Sequence, residues 1–158
     1  MSRVYVFLPQ SVKTDKLIKK ANEVLRDHFR GTLKISQHGK NFWTVSFREM
    51  DYTSPHFEFT LVCRHKKIIF IPPQRNSDMM IMKWVFLNFT REIAKEFDGE
   101  ISDEQNPDQK IDPNRFLHLT FEAYVRAFGK NATEGTVNDV LRANQSFLET
   151  VGLQKVSQ

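Results

Sequence analysis

Along the first hundred residues apolar positions recur every second residue in some stretches and every third or fourth in others, and this change of period divides the chain into elements. Val4, Tyr5, Val6, Phe7 and Leu8 form a β-favouring run closed by Pro9, which predicts a short buried strand. Leu17, Ile18, Ala21, Val24, Leu25 and His28 or Phe29 then gather on one helical face, with Ser11 or Thr14 as the cap and Gly31 as the stop. Leu33 and Ile35, a His38-Gly39-Lys40 turn, and Trp43, Val45 and Phe47 at period two predict a hairpin. Phe57, Phe59, Leu61 and Cys63 alternate with Glu58, Thr60 and Val62, so one side of that strand faces the core. After Arg64-His65-Lys66-Lys67, the continuous run Ile68 to Ile71 ends at Pro72-Pro73 and reads as a central strand covered on both sides.

A second long helix is expected from Met79 to Phe97, capped by Ser77 or Asp78 and apolar almost all round, which demands extensive burial. Asp98-Gly99 ends it, and Glu100-Ile101-Ser102 suits an edge strand. The polar stretch Asp103 to Asp112 lacks periodicity and reads as a long loop. Asp112-Pro113 launches a helix to Phe128, with Phe116, Leu119, Ala123 and Phe128 for packing and Gly129 as its end. A last helix runs from Thr136 to Val151 with Val137, Val140, Leu141, Phe147, Leu148 and Val151 apolar, and Gly152 closes it. Hairpins dominate this order. The expected fold class is α+β: a mostly antiparallel sheet of five to six strands, two long helices packed on one face, and two C-terminal helices.

The 158 residues, 14 of them Phe, are enough for a single domain with a real core, although residues 113–152 could stand as a helical C-terminal appendage. Cys63 is the sole cysteine, which excludes an internal disulfide and fits a reducing compartment. The opening Met1 to Pro9 is too short for a secretory segment, and no apolar run approaches the roughly 20 residues needed to span a bilayer. A cytoplasmic protein without membrane attachment is expected. The net charge of +4 is mild, with lysines along the first helix and at the Arg64 to Lys67 turn. Such clusters meet phosphate or acidic protein, yet no nucleic-acid module accompanies them, so a nucleic-acid binder is an alternative rather than the primary reading.

Catalytic patterns are sparse. His118-Leu119-Thr120 resembles half of the His-x-Thr signature of the two-histidine phosphoesterases, which would imply a hydrolase using His118. That chemistry needs two such motifs, one imidazole taking a proton and one delivering it, and no second is present. His56 and His65, at either end of one strand, would lie about 30 Å apart at roughly 3.3 Å per residue, too far to share a metal. Asp103 and Glu104 are adjacent and point opposite ways in extended chain, so they do not act as a paired acid and base. No phosphate loop, nucleotide-binding glycine run or nucleophile elbow occurs, and no catalytic residue, metal or cofactor is assigned.

Lys83-Trp84 through Ile93-Ala94-Lys95-Glu96-Phe97-Asp98-Gly99-Glu100-Ile101-Ser102-Asp103-Glu104 is similar to small bacterial immunity proteins that neutralise toxins delivered between competing cells. The resemblance implies a non-enzymatic cytoplasmic protein that binds and occludes a toxin domain. The basic balance departs from the acidity common in inhibitors of nucleases and points toward an acidic target. The expected partner-binding residues are Tyr52, His56 and Arg64 on the sheet with Asp103, Glu104 and Asp108 in the polar loop, and electrostatic complementarity would set association rate and selectivity.

Overall fold

A computed structural model describes residues 3–49, 58–73, 80–128 and 136–153. Its elements follow in the order β1 (Val4–Phe7), α1 (Thr14–Phe29), β2 (Leu33–Gly39), β3 (Phe42–Phe47), β4 (Glu58–Arg64), β5 (Lys67–Ile71), α2 (Met80–Glu96), β6 (Glu100–Asp103), α3 (Pro113–Phe128), α4 (Thr136–Ala143) and α5 (Gln145–Thr150). The strands form one antiparallel sheet in the order β2-β3-β4-β5-β1-β6. This is the α+β architecture that the hairpin-rich pattern predicts. The first strand is not an edge: β1 lies between β5 and β6, with Val6 opposite both Ile68 and Ile101.

The period-two pattern sorts side chains to two unequal faces. Val4, Val6, Trp43, Val45, Phe47, Phe59, Leu61, Cys63, Ile68 and Phe70 share the inner face and are buried. On them lies α2, whose Phe86 and Phe89 meet Phe59 at 5.2 and 5.4 Å between ring centroids. Phe89 also reaches Phe29 of α1, and Trp84 meets Phe121 of α3 at 5.1 Å. Enclosed by sheet, α1 and α3, the helix is buried over the whole of Ile81 to Thr90. Its polar members are satisfied locally: Asn88 donates to Trp84 O, Thr90 to Phe86 O, and Lys83 to Pro73 O. Phe116, Leu117, Phe121, Val125, Leu141, Leu148 and Val151 join the same apolar core, which ties the last three helices to it.

Several expectations change in detail. Neither Ser11 nor Thr14 caps α1; Lys13 holds that position in extended conformation and offers no side-chain hydrogen bond, so the buried face rather than a cap stabilises this helix. The run Ile68 to Ile71 is central but covered on one side, with Ile69 and Ile71 half-buried. In α3 the inward residues are Phe116, Leu117, Phe121 and Val125, whereas Leu119 is 51 % exposed and Ala123 is exposed. Leu119 sits two residues from both Leu117 and Phe121, about 200° round the helix, which turns it away from their face. The last helix is two, because the Asn144 side chain donates to Val140 O at 2.8 Å while its amide turns to Leu141 O. The Ser77 or Asp78 cap, Phe57 and Gly129 lie outside the described residues.

At the end of α2 the two residues of the stop divide the work differently from a glycine cap. Asp98 takes the left-handed conformation (φ 51°), and Gly99 N returns to Ala94 O at 2.8 Å. Gly99 is needed for space: a Cβ there would lie 2.6 Å from Val6 Cγ1. The turn thereby delivers β6 directly to the free side of β1.

Candidate partner-binding surface

The outer face of the sheet carries a second apolar set. Tyr5 pairs with Ile69, Ile69 with Val62, and Val62 with Phe42, a row crossing four strands; Phe7 and Ile71 extend it to either side. These side chains are half-buried, and Phe42 is 41 % exposed. Tyr5 and Phe7 pack edge to face at 6.3 Å. Lys67 Nζ lies 5.1 Å from the Tyr5 ring centroid and Lys110 Nζ 3.8 Å from that of Phe7, so each ring already carries a cation. At its β2–β3 border His38 covers Thr44, Nε2 to Oγ1 2.8 Å, and meets Phe42 edge-on.

One end of the sheet is basic. Arg64 pairs with Lys67, which pairs in turn with Phe7, and Leu8 N donates to Lys66 O. The β4–β5 turn is tight because His65 accepts a left-handed backbone (φ 53°). The β2–β3 turn adjoins it through Cys63 N donating to Asn41 O, which brings Lys40 to the same end. Between these turns and the start of α1 opens a cleft of about 640 Å³, lined by Lys13, Asp15, Asn41, Cys63, Arg64 and His65 among others. Cys63 is buried at its floor, and that burial pushes the thiol up from its ordinary value, away from a reactive thiolate.

The residues expected to bind a partner fall in two separate places. Asp103 is the half-buried last residue of β6, and Glu104 and Asp108 lie in the exposed loop that follows it. There Asp103 Oδ1 accepts from Asn106 N at 2.8 Å, Glu104 N donates to Arg3 O, and Ile111 returns to bridge Ile101. Asp103 pairs with Val4 while Arg64 belongs to the Phe7 end, so the two are separated by roughly 14 Å across the strands and roughly 10 Å along them. Tyr52 and His56 lie outside the described residues. His118 sits exposed on α3, edge-on to Trp84 at 5.3 Å; His28 faces Glu92 and His38 faces Thr44, so these three histidines have separate surroundings. Among the described residues no cluster of three His, Cys, Asp or Glu is arranged to hold a metal ion, and no helix is long and apolar enough to cross a membrane.

Tyr5, Phe7, Phe42, Val62, Ile69, Ile71 and Lys110 were not among the expected contact residues. Their signal was present in part, since two apolar parities run through Val4 to Leu8 and Ile68 to Ile71. In comparisons of sequence, no protein-family model and no curated protein matches this chain.

Proposed function

We propose that this chain is a binding module that engages a protein partner through the outer face of its sheet. The contiguity of Tyr5, Phe7, Val62, Ile69, Ile71 and Phe42 carries this reading, because an apolar patch spanning four strands, rimmed by polar residues, is a recurring mark of an interaction surface. Two of these rings are poorly placed for a nucleic-acid platform: Tyr5 and Phe7 are edge-packed and overlaid by lysine, which leaves Phe42 as the exposed ring of the row, whereas base stacking uses successive bare rings.

The narrower form of the proposal is an immunity protein that occludes a toxin domain. It rests on the likeness of Lys83 to Glu104 to such proteins. In that segment Trp84, Phe97 and Ile101 are buried and Gly99 is seated against Val6, so its residues build the scaffold while the contacts are made elsewhere. The test is affinity capture with the tagged chain from its own host, followed by co-expression with any toxin encoded beside it. A protein retained by the native chain and lost from Ile69→Glu, together with rescue of growth that the variant fails to give, is the expected result. Retention without rescue removes the immunity reading and leaves the module. Capture of no protein, or capture that ignores Ile69→Glu in a folded variant, removes both.

A further inference from the structure

Every salt bridge among the described residues joins side chains of the helices: Lys20 with Glu23 and Glu96, Arg26 with Asp27, His28 and Arg91 with Glu92, Arg126 with Glu122, and Arg142 with Asp139. The sheet end is different. Among the described residues, Lys13, Lys40, Arg64, Lys66, Lys67 and Lys110 have no carboxylate partner, although Asp15, Asp98 and Glu100 lie at the same end. Surface charges cost little when hydrated, so the excess is tolerated in the isolated chain. Unneutralised cations gathered beside an apolar face are, however, what complements an anionic surface with an apolar centre.

We infer that the partner presents an acidic protein segment, whose carboxylates settle among Arg64, Lys66, Lys67 and Lys110 while its apolar residues cover Tyr5, Val62 and Ile69. This rests on the binding-module reading and names the partner chemistry of that same site. Three features of the geometry support it. Lys67 and Lys110 each straddle the border, with the amine on a ring of the apolar face, so one side chain contributes to both halves of the contact. Arg64 stands cross-strand from Lys67, which roots two cations one strand width apart, about 5 Å, on the same face, within reach of same-face carboxylates two residues apart, about 6.6 Å, in an extended acidic segment. The cleft behind Arg64 and His65 gives a long acidic side chain room to leave the surface. Glu104 leaves the Val4 end of β6, opposite the Phe7 end where Arg64 and Lys67 stand, and the same loop returns through Lys110 and Ile111 to bring a cation to the site.

The experiment measures fluorescence anisotropy of a labelled oligoglutamate and a labelled oligouridylate of equal charge against the full chain at low and moderate salt. Oligoglutamate binding that weakens with salt and falls about tenfold or more in R64E/K66E/K67E, with Arg142→Glu on the helical side behaving as the native chain, is the expected outcome. Tighter binding of oligouridylate than oligoglutamate would transfer the surface to nucleic acid and overturn the inference. So would undiminished binding in the triple variant, or no binding of oligoglutamate at low salt. A second pair on different elements, K40E/K110E, guards against misfolding of the turn and is expected to weaken binding in the same direction. A partner captured by the native chain and lost from Ile69→Glu but retained by R64E/K66E/K67E would sink the acidic assignment while leaving the module intact.

Discussion

Lys83 stands on the most enclosed helix of the molecule with 6 % of its surface exposed, donating to Pro73 O, and burial pushes its pKa down from 10.5 to about 8. The unfolded chain keeps the proton up to its ordinary value, whereas the folded chain begins to release it near 8. Between those values the unfolded state binds more protons, so stability rises with pH across that window, and below it the desolvation penalty is present in full. A shift of this size corresponds to roughly 3 kcal/mol at about 1.4 kcal/mol per unit. Denaturant unfolding of the native chain is therefore expected to strengthen from pH 8 toward 10.5 relative to Lys83→Met. Parallel pH curves for the two proteins would mean that the ammonium stays hydrated in the fold.

Elements announce themselves when their signal is local. The alternation of Trp43, Val45 and Phe47 and of Phe59, Leu61 and Cys63 fixes which face of each strand is inner, and Asp112-Pro113 marks the start of α3. There Asp112 Oδ1 accepts from Asn114 N at 3.0 Å and its carbonyl accepts from Phe116 N, while Pro113 fills the first turn where no amide is needed. Asp112→Ala is expected to destabilise the protein by about 1 kcal/mol, read as a lowered denaturant midpoint with unchanged slope, and Asp112→Asn to recover most of it. What sequence left unread at this scale depended on partners. The break at Asn144 arises from a side chain competing for a helix carbonyl, in a stretch whose apolar spacing continues unbroken. The half-covered outer face of β5 follows from where α1 and α2 happen to lie, which the run Ile68 to Ile71 does not encode.

For the whole molecule, the candidate surface shows why composition and motif carry so little here. Its apolar row is assembled from four strands far apart in the chain, Tyr5 and Ile69 being direct neighbours although 64 positions apart in sequence, and its cations come from turns whose adjacency depends on strand order. Arg64 was legible because the Arg64 to Lys67 cluster is contiguous; Lys110 was not, because its place on Phe7 follows from the return of the loop through Ile111. The same long-range logic bears on whether the C-terminal helices form a separable piece. Phe147 meets Phe47 of β3 at 5.9 Å, Arg30 of α1 donates to Glu149 O, and a Cβ at Gly152 would lie 2.8 Å from Arg30 Cγ, so α5 is seated against the first half of the chain. Leu148, fully buried on that helix, is the place to test the coupling. Leu148→Ala is expected to cost about 2–4 kcal/mol, and because the cavity opens in a shared core, tryptophan fluorescence from buried Trp43 and Trp84 should report the same lowered midpoint as helical circular dichroism. If the helical signal were lost first while both indoles stayed buried, the last helices would be an independent unit, and the surface proposed here would have to fold without them.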